Sequence, residues 1–258
     1  MMADWTVFQT PAMLVATLVA VALVGLSKGG LGGAFGLMGV PLMSLAMPPV
    51  LAAAVLLPIL LMMDAVSLWL WRGWRDVAVL KVMVPAAAIG IGVGWATAAI
   101  TPDAVVRLIV GIVALAFAAR AIFGRYIGGS PRFIPAMGWL WGAVAGFTSF
   151  VAHAGGPPFQ VHLLPKQLDP KVYTGTSVIF FALVNLIKVA PYAALGMFQR
   201  EVLMSALLMV PLAVVAVRTG AAIVRRMSPS VFYPFTYAMI LVVGSKLVWD
   251  GFTALIAS

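Results

Sequence analysis

Long apolar runs, separated by short polar or glycine-rich interruptions, fill the chain from residue 11 to residue 252. The runs at 50–70, 77–100, 105–123, 172–195, 202–224 and 231–252 are each predicted to be helices. At ~1.5 Å rise per residue they are long enough to cross a hydrocarbon core of ~30 Å. Two further runs do not continue. The run 11–26 meets Gly25-Leu26-Ser27-Lys28-Gly29-Gly30-Leu31-Gly32-Gly33, and a shorter piece, 34–47, follows it and closes at Pro48-Pro49. The run 137–152 meets Gly146-Phe147-Thr148-Ser149-Phe150-Val151-Ala152-His153-Ala154-Gly155-Gly156-Pro157-Pro158, and a short piece, 159–164, ends at Pro165. Glycine destabilises a helix interior and permits positive φ, and proline lacks an N–H donor, so both runs are predicted to open. Open backbone at membrane depth is tolerated only where it is buried in protein or lines a cavity, which makes the two breaks the candidate binding site.

The two parts of the chain match in order. Gly33 pairs with Gly156, Asp76 with Glu201, Pro85 with Pro211 and Pro102 with Pro229, at separations that drift from 123 to 127 residues. A slowly drifting offset, with break, short piece, spans and proline-marked turns in one order, is the pattern of a diverged internal duplication. The expected organisation is a single membrane domain, 1–258, with a first repeat at 1–123, a linker at 124–135 around Gly128-Gly129-Ser130-Pro131, and a second repeat at 136–258.

Composition agrees with that reading. Of 258 residues 64% are hydrophobic and 9% charged, whereas a soluble domain carries roughly 25% charged residues. No basic n-region or small-residue cleavage site precedes the first break, so the first helix is expected to be retained. The net charge of +9 resides in short loops between apolar runs, where it sets topology rather than binding nucleic acid. If each repeat contributes four crossings the repeats are parallel. If each contributes three crossings and a hairpin that enters and leaves on one side, they are inverted. The inverted scheme gathers Arg72, Arg75, Lys81, Arg120, Arg125, Arg132, Lys166, Lys171, Arg225 and Arg226 on the cytoplasmic side and leaves mainly Arg107 and Arg200 opposite. The parallel scheme moves Lys166, Lys171, Arg225 and Arg226 outside, so the positive-inside rule favours inversion. The expected fold is therefore an all-α polytopic membrane protein with two inverted repeats, each a re-entrant or broken helical hairpin plus three transmembrane helices. The break tips are expected to meet near the midplane.

The chemistry available at the breaks is that of anion recognition. Helices expected to begin at Ala34 and Phe159 would turn free N–H groups toward the breaks, and such ends bind oxyanions. Lys28 lies within the first break and brings a full positive charge, against the alternative that it snorkels to an interface. Ser27, Thr148 and Ser149 carry hydroxyl donors, although small hydroxyl residues also serve close helix packing. Gly29, Gly32, Gly33, Gly155 and Gly156 supply backbone N–H groups. His153 is a candidate proton carrier, or else a donor to a backbone carbonyl. Away from the breaks, Asp64 falls in an apolar run, and Asn185, Lys188 and Tyr192 share one helix face. An intermediate offset aligns Asp64 with Lys188. That pair is a candidate for a static cross-repeat ion pair or for ligand and proton contacts. Trp5, Trp69, Trp71, Trp74, Trp139 and Trp141 lie near span ends and read as an aromatic belt. There is no cysteine, which removes disulfides, thiolate metal sites and cysteine nucleophiles. With His153 and His162 the only imidazoles, no metal or other cofactor is expected.

The duplicated glycine-rich break with its proline-closed short segment, the stretch Asn185-Leu186-Ile187-Lys188 with Tyr192 and Gly196, and Asp64 followed by Arg72-Gly73-Trp74 resemble the TauE/SafE sulfite exporter family, also called the toluene-sulfonate uptake permease group. The resemblance covers nearly the whole chain. It implies secondary transport of sulfite, sulfoacetate, related sulfonates or carboxylate anions in a bacterial inner membrane, with both import and export known to the group. The second break departs from a plain glycine-rich form through His153 and Pro157-Pro158. The expected partners are a small anion and the lipid bilayer, with a homodimer left open and nucleic acid not expected. The competing readings are an anion channel and a membrane assembly factor for a sulfur-oxidising or respiratory enzyme. A membrane enzyme lacks support, because no nucleophile–base or metal-ligand spacing is present.

Overall fold

The computed structural model describes residues 6–31, 36, 38–97, 100–123 and 135–256, and among them the chain is helical with no strand. The helices are α1 (Pro11–Leu26), α2 (Gly39–Met43), α3 (Pro49–Trp71), α4 (Val77–Thr97), α5 (Asp103–Phe123), α6 (Pro135–Ala152), α7 (Gly156–Leu163), α8 (Pro170–Ala194), α9 (Arg200–Arg226) and α10 (Pro229–Ile256). Most begin where the sequence supplies a start signal. Thr10 caps α1 by accepting the Met13 N–H, with Pro11 in the first turn, and proline again opens α3, where its missing N–H costs nothing.

Among the described residues six helical stretches are long and apolar enough to cross a membrane: Pro11–Leu31, Pro49–Trp71, Val77–Thr97, Pro170–Ala194, Arg200–Arg226 and Pro229–Ile256. Large apolar side chains such as Val15, Ile89, Ile109 and Val215 point outward from the helices, as a lipid solvent allows. The run 105–123 lies within α5, a 21-residue helix, as the sequence pattern predicts. One detail differs. The run 11–26 continues through a widened turn to Leu31, so length alone does not force it to stop inside a bilayer.

The chain forms two compact units, Met1–Gly73 with Ser177–Arg226, and Trp74–Thr176 with Met227–Ser258. Each unit combines pieces of both sequence halves. In the first, α1 packs on α9 and α9 on α3, around a core that includes Val21, Val24, Met43, Ile59, Met63, Met209 and Val217. In the second, α4 packs on α6 and α5 on α10, and Phe159, Tyr173, Phe232 and Tyr233 form an aromatic cluster with neighbouring centroids 5.4 to 6.4 Å apart.

Close approach through small residues drives these contacts, because lipid tails remove the hydrophobic gain of helix association. A Cβ added at Gly29 would stand 2.3 Å from the Val217 carbonyl oxygen on α9. In the other unit a Cβ at Gly146 would stand 2.1 Å from the Ala87 carbonyl oxygen on α4. The helix that opens each sequence half thus packs on a proline-bearing helix of the opposite half, α1 on α9 (Pro211) and α6 on α4 (Pro85).

The basic loops also fall into place within each unit. In the first, the Arg225 guanidinium donates to the Leu70 carbonyl at 2.5 Å and lies 5.2 Å from the Trp71 ring. In the second, Lys166 pairs with Asp76 at 3.4 Å and Lys171 lies 5.1 Å from the Trp74 ring. Basic side chains therefore meet the end of α3 in one unit and residues 74–76 in the other.

Candidate functional site

The first break is a π-helical turn, Ser27–Leu31, in which Gly30 takes φ 128°. Only glycine adopts that conformation readily. Gly29 has no room for a side chain, since α9 backbone from Val217 to Ala221 lies against it. Gly32 and Gly33, and a helix start at Ala34, fall outside the described residues, and the next described helix is the five-residue α2.

Helix α3 presents Asp64, Ser67 and Trp71 to this turn at i, i+3 and i+7, one face of the helix. Lys28 Nζ meets Asp64 Oδ1 at 2.6 Å. One turn further along α3 the Ser67 hydroxyl donates to the Lys28 carbonyl at 3.0 Å, and then Trp71 Nε1 donates to the Gly29 carbonyl at 3.0 Å. The Lys28 side chain therefore runs back along α3, away from its Trp71 end. This is the reverse of snorkelling toward the basic loop.

Asp64 is shared. Its Oδ2 accepts from Asn185 Nδ2 at 2.7 Å, so both carboxylate oxygens are engaged. Asn185, Lys188 and Tyr192 lie on one face of α8 and all are buried, Lys188 to 1% exposure. The charges of both Lys28 and Asp64 act on Lys188, and the Phe181 ring lies 6.0 Å from Lys28 Nζ. Lys28 and Asn185 thus hold the two oxygens of Asp64, with Lys188 on the same face of α8 as Asn185.

The turn also lies off centre. Gly29 packs well past the middle of α9 and receives the last residue of α3, so the break sits toward the end that carries Arg72 and Arg225, while Asp64 reaches deeper.

The second break is built differently. Helix α6 ends at Ala152, His153 takes a left-handed φ of 53°, and α7 begins at Gly156, three residues before the expected start at Phe159. Pro157 at the first turn explains the early start, since proline there needs no N–H partner. The break closes on itself. The Ala154 N–H donates to the Thr148 carbonyl at 3.0 Å, and the Thr148 hydroxyl lies 2.8 Å from the Val144 carbonyl and 3.2 Å from that of Ala154. Thr148 thus serves the helix end, and the His153 backbone does the work that glycine usually does there. Ser149 and Gly155 are buried and Gly156 half-buried. The first break belongs to one compact unit and the second to the other.

Sequence reasoning missed Ser67, Trp71, Phe181 and Arg225. Trp71 had read as part of an aromatic belt, yet it is fully buried, whereas Trp69, Trp74 and Trp139 are exposed. The helical spacing of 64, 67 and 71 was the available signal.

An all-α chain with six helices among its described residues able to cross a membrane, and with buried charge gathered at a helix break, is a multi-pass membrane protein. The family model for the sulfite exporter TauE/SafE matches residues 17–247. The chain belongs to that family and is a membrane transporter. No curated protein and no solved structure matches it.

Proposed function

We propose that this chain is a secondary transporter of small sulfur-containing anions, such as sulfite, sulfoacetate or related sulfonates, across the bacterial cytoplasmic membrane. The observation that carries the reading is the buried group formed by Lys28, Asp64, Asn185 and Lys188. With both ammonium groups charged, two cations act on one carboxylate, and excess positive charge at membrane depth is costly unless an anion joins it. A sulfonate or sulfite supplies that charge and several acceptor oxygens for Lys28, Asn185 and Tyr192, with Ser27 and the Gly29 backbone as further candidate contacts. Thr148, Ser149, His153, Gly155 and Gly156 are the corresponding candidates at the break of the other unit.

Asp64 then acts as an internal stand-in for the substrate. While ionised it holds Lys28; once protonated it releases Lys28 to the incoming anion, which couples anion entry to proton entry. His153 is the second candidate for the proton. Inverted repeats are part of this proposal, supported by the reciprocal packing of α1 on α9 and α6 on α4 within their units and by the charge asymmetry of the loops.

The test is uptake into proteoliposomes across a panel of sulfite, sulfoacetate, other sulfonates and carboxylates, with and without a pH gradient. Saturable uptake of a sulfur-containing anion, driven uphill by the gradient, is expected, and Asp64→Asn should lose the dependence on the gradient. Unsaturable, strictly downhill flux would point to a channel, and the absence of flux for every anion would leave an assembly role in place of transport.

A further inference from the structure

We infer that Trp71 is a positioning residue that makes the first break fit to receive an anion, and that Arg225 holds it in place. This rests on the reading of the Lys28 cluster as the substrate site. A helix that ends inside the protein leaves its last carbonyls exposed, equivalent to roughly half a negative charge at that end. An anion approaching the end of α1 meets that field head-on. Two donors from α3 oppose it, the Ser67 hydroxyl on the Lys28 carbonyl and the Trp71 indole N–H on the Gly29 carbonyl, each at 3.0 Å.

The same two bonds fix the backbone immediately after the Lys28 side chain, whose Nζ is delivered to Asp64. Trp71 has no exposed surface, and its ring is covered by the Arg225 guanidinium, which is tied in turn to the Leu70 carbonyl. The contact runs from α9, through the last residue of α3, to the carbonyls of the break. A tryptophan held only for packing would need its ring, whereas this arrangement needs the N–H as well.

The full-length protein carrying Trp71→Phe keeps most of the ring and loses the donor, and 3-benzothienylalanine at position 71 keeps the bicyclic shape and loses only the N–H. Two quantities are read: KM and Vmax for sulfite and sulfoacetate in proteoliposomes, and amide hydrogen exchange of the segment 27–31. Leaving a buried acceptor unsatisfied should raise KM about tenfold with Vmax largely kept, and speed exchange at 27–31 about tenfold without a change elsewhere. Arg225→Lys, which keeps the charge and loses the planar stack, should move both in the same direction by less.

Wild-type KM and wild-type exchange in the benzothienylalanine protein would overturn the inference, as would faster exchange spread over the whole chain. If the unaltered protein moves none of the anions, the transport reading fails by itself. The exchange at 27–31 still decides whether the Trp71 N–H holds the break.

Discussion

At the scale of residues, the buried ion pair changes what a lysine substitution means. Removing Lys28 alone leaves Asp64 buried beside Asn185 without its ammonium partner at 2.6 Å, and breaking a buried pair costs about 3–5 kcal/mol. Lys28→Ala should therefore lower the melting temperature in detergent as well as weaken anion binding. Lys28→Ala with Asp64→Asn should recover much of the lost stability, because the Asp64 carboxylate is no longer left without its ammonium partner. A double variant that melts no higher than the single one would show that the pair is not what Lys28 stabilises. The sequence made the ingredients legible, since Lys28, Asp64, Asn185 and Lys188 are conspicuous in apolar runs. It did not make the pairing legible, because contacts across helices depend on rotation about each axis, which a list of intramembrane polar residues does not contain. Trp71 was misread for a related reason: position near a span end suggests an interface, while its face on α3 places it in the core.

At the scale of elements, the apolar runs predicted the helices to within a few residues, since length and hydropathy alone decide what can cross a bilayer. The break geometry was less accessible. The first break is a π-helical turn with one glycine at positive φ, and the second is a left-handed histidine followed by a proline-started helix; a glycine count cannot tell these apart. Glycines that admit another helix are equally indistinguishable by sequence from glycines that face open space. Gly146 and Gly92 make the contrast measurable. A Cβ at Gly146 would meet the Ala87 carbonyl at 2.1 Å, whereas nothing lies within 4 Å of one at Gly92. Gly146→Ala should destabilise by about 1–3 kcal/mol through overpacking. Gly92→Ala should leave thermal stability unchanged or slightly raised, in line with helix propensity. Equal melting temperatures for the two variants would refute the close α4–α6 contact.

At the scale of the whole molecule, each of the two compact units draws helices from both sequence halves, and no single-half reading of the chain anticipates them. The orientation of the halves is the remaining consequence to test. Parallel repeats would put Lys166, Lys171, Arg225 and Arg226 across the membrane from Arg72 and Arg75. Yet Arg225 bonds to Leu70, Lys166 to Asp76, and Lys171 lies over Trp74, contacts that a separation of ~30 Å forbids. The absence of cysteine from the sequence makes the arrangement directly measurable. Single cysteines at Gly73, Gln167 and Ser228 should react with an impermeant maleimide only from the cytoplasmic side, and cysteines at Thr101 and Met197 only from the opposite side, as the excess of basic residues around the first three positions requires. Labelling of Ser228→Cys from outside intact cells, with Gly73→Cys protected, would separate the two basic loops and sink the inverted arrangement. Labelling of all five from one side would be incompatible with helices that cross at all.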